Sequence, residues 1–158
     1  MYRHDIYEKL KTLGIQLPDG GTPAAAYVMA AQSGNLVHTS GHIAKKNGSV
    51  WAGKLGASMT TEEGRAAARS VAVDLLATLH AHTGDLNRVT RIVKVLSLVN
   101  STAEFTEQHL VTNGASELLA EVFGNSGRHA RSAFGVAPIP LGARLSGYRQ
   151  GRDSAAGR

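Results

Sequence analysis

Gly127-Arg128-His129-Ala130-Arg131-Ser132-Ala133-Phe134-Gly135-Val136-Ala137-Pro138-Ile139-Pro140 is the stretch on which the reading of this chain turns. It places Arg131 at the mouth of an apolar, small-residue run that otherwise reads as a buried strand. An arginine is permanently charged and carries its N–H donors in a rigid planar fork, so it matches a carboxylate bidentately. A charge entering a core with no acidic residue nearby in sequence needs a partner from elsewhere. That partner is another part of the fold, another subunit, or an anionic ligand.

Working back toward the N-terminus, the segment between Ser101 and Gly124 reads as a second helical region. Ser101-Thr102-Ala103-Glu104 has the capping-box pattern, and Ala115, Leu118, Leu119, Val122 and Phe123 form an apolar face. Asn113-Gly114 is a turn pair and predicts an interruption around His109–Gly114. Val89–Val99 is dense in β-branched residues and predicts a strand. Before it stands the first long helix. Thr60 with Glu63 offers a capping box, Ala68, Val71, Ala72, Leu75, Leu76 and Leu79 share a face, and Gly84 ends the run.

Further upstream, two strands are predicted over Ala25–Ala31 and Leu36–Ser40, joined by the hairpin signal Gln32-Ser33-Gly34-Asn35. Asn47-Gly48 marks another turn, and Ser49–Trp51 a third short strand. Residues 4–13 carry Ile6, Leu10 and Leu13 at helical spacing, stopped by Gly14. The order β-β-(β)-α-β-α-β predicts an α+β domain of two layers, one sheet with two helices on one face. Residues 1–142 read as one domain, with 1–23 its N-terminal helix and linker, and 143–158 as a Gly/Ser/Ala-rich, partly disordered basic tail. The strands carry apolar residues on both faces, yet two helices cover only one. The other face calls for a second sheet, most simply that of another copy.

Composition narrows the chemistry. The chain has 158 residues, 42% hydrophobic and 18% charged, with no cysteine, which excludes disulfides and thiol nucleophiles. No apolar run is long enough to span a membrane and the first ten residues are polar, so a cytoplasmic protein is expected. Of the net charge of +5, residues 142–158 hold +3 and the rest only +2. Basicity concentrated in a tail, without lysines and arginines interleaved with aromatics, argues against a nucleic-acid role. The seven histidines show no HExxH motif and no ligand cluster, and the His80/His82 pair ends a helix as surface residues. No metal or organic cofactor is expected. Paired carboxylates, a GxSxG elbow and a phosphate-binding glycine loop are all missing.

Taken together, Tyr27, Gly34-Asn35-Leu36-Val37-His38-Thr39-Ser40-Gly41-His42, Gly84-Asp85-Leu86-Asn87-Arg88-Val89, Arg131-Ser132 and the Pro-Ile-Pro approach to Leu141 resemble the RidA/YjgF family, also known as L-PSP endoribonuclease-like. The likeness spans about residues 24–142 in the family's order. It implies a chorismate-mutase-like fold assembled as a homotrimer, the helices outside, the sheets around a central barrel, and ligand clefts between subunits. It also implies hydrolysis of 2-imino acids or their enamine tautomers to 2-keto acids and ammonia, a deaminase without cofactor.

Residue by residue, the resemblance makes Arg131 the clamp for the substrate carboxylate. Tyr27, Ser40 and Gly41 line the cleft, Asn113 stands for a cleft asparagine, and Ala133 holds a position that is often cysteine. Where the family has glutamine, this chain has His42. The family's closing acidic strand is replaced by Arg144-Leu145-Ser146-Gly147-Tyr148-Arg149-Gln150, so Ser146 takes the catalytic place of a glutamate that positions water. A neutral serine is no general base near neutral pH, and at most holds a water. Three function classes follow. The chain hydrolyses imino acids, or binds carboxylates without turnover as an interaction module of the same fold, or cleaves RNA as the family's older label says.

Overall fold

The computed structural model describes residues 5–136 and residue 139. Ser146, the Pro138–Gly142 corner apart from Ile139, and the tail 143–158 lie outside the described residues. The elements are α1 (Ile6–Thr12), β1 (Ala30–Ser33), β2 (Leu36–Thr39), β3 (Lys45–Lys46), β4 (Ser49–Val50), α2 (Thr61–Thr83), β5 (Lys94–Asn100), α3 (Gln108–Phe123) and β6 (Ala130–Val136). Short 3-10 turns at Leu86–Arg88 and Gly124–Gly127 follow α2 and α3.

The start of α2 follows from its sequence. Thr60 Oγ1 accepts from Glu63 N–H at 3.2 Å, and Glu63 Oε2 accepts from Thr60 N–H at 2.8 Å. These bonds satisfy two N–H groups that the first turn would leave orphaned. Gly84 closes the helix at φ 73°, where a side chain would be strained. The hydrogen bonds from Thr60 hold the Glu63 carboxyl below its ordinary value, the backbone bond first. Because the folded-state pKa is depressed, this contribution is present above the unfolded carboxylate value. It fades as pH falls through the folded one. Glu63→Gln is therefore expected to lose part of the acid limb of the stability–pH curve, which urea midpoints between neutral and acidic pH would check. Thr60→Ala is expected to cost about 1 kcal/mol throughout.

The predicted break in the second helix does not exist: α3 runs unbroken through Asn113 and Gly114. Gly114 is there for contact rather than for a turn. A Cβ on it would stand 1.9 Å from the Arg65 carbonyl oxygen of α2, so the backbones of the two helices touch. The helices run parallel, and one-turn steps pair Arg65 with Glu117 and Arg69 with Glu121, both at 2.8 Å. The Ser101–Glu104 capping box is not used either. The helix starts at Gln108, whose side-chain amide donates to the Phe105 carbonyl at 2.6 Å.

Strands β5 and β6 pair in parallel, in the register Val95↔Arg131 and Leu98↔Phe134, with α3 as the crossover that a parallel pair requires. β1 and β2 form a hairpin through Gly34-Asn35, and β3 and β4 another through Asn47-Gly48, both of whose residues have positive φ. The described strands thus make three two-stranded ladders, not the single sheet expected from the sequence. Two strands are also shorter at their starts. The chain joins β1 only at Ala30, because Ala24–Tyr27 closes on itself: Tyr27 N–H donates to Ala25 O at 2.8 Å, and Ala24 N–H to Tyr27 Oη at 3.2 Å. β5 begins at Lys94 rather than Val89.

Leu76, Leu86 and Leu118 are fully enclosed, and α1 adds Ile6 and Leu10 to that core. A second cluster of Leu55, Val99 and Val111 lies under β5. His80, expected on the surface, anchors α1: its Nδ1 meets Tyr7 Oη at 2.9 Å. On the face of β5 and β6 turned away from the helices, Leu96, Leu98 and Phe134 are 61%, 54% and 55% exposed. That apolar face has no partner among the described residues.

Candidate functional site

Strand alternation puts Arg131, Ala133 and Gly135 on the face of β6 turned toward α3. The Arg131 guanidinium reaches the N-terminal half of that helix. Nη1 donates to Asn113 Oδ1 at 2.8 Å and to Ser116 Oγ at 3.2 Å, while Nη2 donates to the His109 carbonyl at 3.2 Å. Asn113 and Ser116 are three residues apart on α3, hence on one face, which is why both can reach it. All three acceptors are neutral, and no carboxylate lies within ion-pair distance of Arg131 among the described residues.

These three bonds occupy both hydrogens of Nη1 and one of Nη2. The Nε hydrogen and the second Nη2 hydrogen have no partner among the described residues. In any arginine the Nε hydrogen and the Nη2 hydrogen beside it form an edge whose spacing matches the two oxygens of a carboxylate. Arg131 is thus a half-buried cation held by dipoles, with its Nε hydrogen and one Nη2 hydrogen unused among the described residues.

Ser116 is tied in turn to His129, whose Nε2 meets its Oγ at 3.0 Å; His129 Nδ1 meets the Gly127 carbonyl at 2.6 Å. Neither residue stands out in the sequence. The signal that finds them is periodicity: His129 stands just before β6 and two residues ahead of Arg131, and Ser116 follows Asn113 by three once the helix is seen to be continuous.

The other site residues expected from the sequence lie elsewhere. Ser40 follows β2, donates through Oγ to the Val28 carbonyl at 2.6 Å, and continues the β1–β2 ladder through its N–H to Met29 O. Gly41 is next to it, and His42 pins this corner to α2, its Nε2 meeting Thr78 Oγ1 at 2.8 Å. Tyr27 is 44% exposed. Among the described residues no hydrogen bond joins Tyr27, Ser40 or Gly41 to Arg131 or Asn113, and β1 and β2 touch α2 but neither β5, β6 nor α3. One chain brings Arg131 and Asn113 together, with Ala133 beside them on β6, and leaves the Tyr27–Ser40–Gly41 corner apart.

A groove of 270 Å³ lies between α2 and β5, lined by Ala68, Val71, Leu75, Val95 and Val99 and reached by Ile139. It holds no Lys, Arg, Asp or Glu, so it does not suit an anion. Among the described residues no group of three or more His, Asp or Glu side chains could hold a metal ion, and no helix is long and apolar enough to cross a membrane.

Comparison with known proteins gives a consistent picture. Protein TCP17 of Trypanosoma cruzi is 49% identical over 140 residues, covering 87% of this chain and 88% of that one. Among solved structures, the protein Atu1372 of Agrobacterium tumefaciens, of unknown function, superposes with a TM-score of 0.80 at 41% identity, over 87% of this chain and 86% of its own. A Shewanella oneidensis protein called a "putative endoribonuclease" superposes with a TM-score of 0.84 at 30% identity, over 87% and 92% of the two chains. Residues 7–148 match the family described as "YjgF/chorismate_mutase-like, putative endoribonuclease". With that match across nearly the whole chain and with α3 crossing between parallel β5 and β6, the chain belongs to the YjgF/chorismate-mutase-like family.

Proposed function

We propose that the protein binds the carboxylate of a small 2-imino or 2-keto acid on the open edge of Arg131 and hydrolyses the imino acid to the keto acid and ammonia. The observation that carries this reading is the guanidinium held by three neutral acceptors, with its Nε hydrogen and one Nη2 hydrogen unused among the described residues. A half-buried charge without a counter-ion is costly, and an anionic ligand offsets that cost. The overall change is R–C(=NH)–COO⁻ + H₂O → R–CO–COO⁻ + NH₃. Water adds to the imine carbon, and the carbinolamine expels ammonia once its nitrogen takes a proton. Arg131 fixes the carboxylate and so the orientation of the imine carbon to incoming water.

The cleft is shared between copies. The exposed Leu96, Leu98 and Phe134 support association of copies through the β5–β6 face. The lack of any hydrogen bond from the Tyr27–Ser40–Gly41 corner to Arg131 among the described residues supports completion of the site by a neighbour. In a trimer the corner of one copy lines the cleft around Arg131 of the next.

The test uses 2-iminobutanoate generated in solution by an amino-acid oxidase. Wild type is expected to accelerate ammonia release over the enzyme-free rate. A second reading, a carboxylate-binding module without turnover, is favoured by Ser146 at the place of the family's glutamate. Binding of 2-oxobutanoate with no acceleration of ammonia release selects that reading.

A further inference from the structure

We propose that Ser116 and His129 are positioning residues that hold the Arg131 guanidinium ready for its anionic ligand, a role that rests on the carboxylate-binding reading above. The chain of hydrogen bonds has a direction. It begins at Gly127, which is wedged against α3: a Cβ there would stand 2.0 Å from the Leu119 carbonyl oxygen. The Gly127 carbonyl can only accept, so His129 Nδ1, 2.6 Å away, carries a proton. In the neutral ring Nε2 is then a lone pair, and at 3.0 Å it accepts the Ser116 hydroxyl hydrogen. That leaves the Ser116 oxygen's lone pairs facing Arg131, and Nη1 donates to it at 3.2 Å.

The order Arg131 → Ser116 → His129 → Gly127 ends on a buried backbone packed directly against α3. With Asn113 Oδ1 taking the second Nη1 hydrogen at 2.8 Å, the guanidinium plane is fixed and the Nε/Nη2 edge is aimed before any ligand arrives. An arginine otherwise samples many rotamers, and ordering it on binding costs affinity. The Ser116 hydroxyl looks like an activated nucleophile, but its hydrogen is committed to His129 and its oxygen to Arg131. Its part is to orient, not to attack.

The relay is tested in the full-length protein by nitrogen NMR and by titration with 2-oxobutanoate. His129 is expected as the neutral Nδ1–H tautomer. The Arg131 Nη signals are expected to show slowed rotation in wild type and free rotation in Ser116→Ala, a readout that general destabilisation does not mimic. Ser116→Ala is expected to bind 2-oxobutanoate up to about tenfold more weakly, the cost of ordering the freed guanidinium on binding. A neutral Nε2–H tautomer at His129 would overturn the relay. So would unchanged Arg131 rotation or an unchanged affinity in Ser116→Ala. If wild type and Arg131→Ala bind 2-oxobutanoate equally, the carboxylate reading fails. The relay is then decided by the two NMR signatures alone, which support it when present and overturn it when absent.

Discussion

Replacing Arg131 by alanine is expected to abolish measurable carboxylate binding while leaving the fold almost as stable as before. Two charge-assisted bonds to a ligand are worth about 1.5–3 kcal/mol each, so their joint loss weakens binding of 2-oxobutanoate by roughly a hundredfold or more. The stability effect is the net of two opposing changes. The side chain gives up three hydrogen bonds, to Asn113, Ser116 and the His109 carbonyl. It also removes a half-buried charge that has no counter-ion among the described residues, which is favourable. The sum is expected within about 1 kcal/mol of wild type, because exposed or water-reachable acceptors recover partners. Arg131→Lys is not a rescue. An ammonium is a compact point charge and cannot hold three acceptors while presenting a flat two-donor edge. Titration calorimetry and thermal unfolding on the same samples check both halves, and rates of ammonia release should fall in parallel with binding.

Gly114→Ala is expected to be the most destabilising single methyl in the molecule's helical layer. The added Cβ meets Arg65 O at 1.9 Å, its carbonyl carbon at 2.7 Å and its Cα at 3.1 Å, all backbone atoms with no rotamer to change. Relief requires α2 and α3 to part, which loosens the Arg65–Glu117 and Arg69–Glu121 pairs and the packing around Leu118. Overpacking of this kind costs about 3 kcal/mol or more, and alanine's better helix propensity returns about 1 kcal/mol. The melting temperature is therefore expected to fall by roughly 4–8 °C. The change also reaches the site, since Asn113 and Ser116 flank Gly114 and move with it. A variant melting at the wild-type temperature would mean that the two helices are not in backbone contact.

The same glycine shows where reading the sequence succeeds and where it stops. Local chemistry was legible. The Thr60–Glu63 box, the Gly84 stop and the Asn47-Gly48 hairpin all appear where their residue types require, because each depends on hydrogen bonds or φ values within a few residues. Asn113-Gly114 misleads because a helix-to-helix contact with Arg65 needs the same small residue as a turn does. The sequence does not say which neighbour arrives. Ala25–Tyr27 fails as a strand for the opposite reason, a local turn that competes with pairing.

At the candidate site, Arg131 was conspicuous as a charge without a nearby acid, and the structure surrounds it with neutral acceptors. Asn113 was placed near it only through the family resemblance. Ser116 and His129 stayed hidden because a serine on a helix and a histidine before a strand are common in any domain. Only their convergence on Arg131 gives them meaning.

The central claim is that the Nε/Nη2 edge of Arg131 receives a carboxylate in a cleft completed by a second copy. Crystals grown with 2-oxobutanoate test it most directly. The expected result is carboxylate density with its two oxygens about 2.8 Å from Arg131 Nε and Nη2, and with Tyr27 and Ser40 of a neighbouring copy facing the ligand. Density for the keto acid anywhere else, with that edge of Arg131 turned to an acidic side chain or to bulk water, would contradict it.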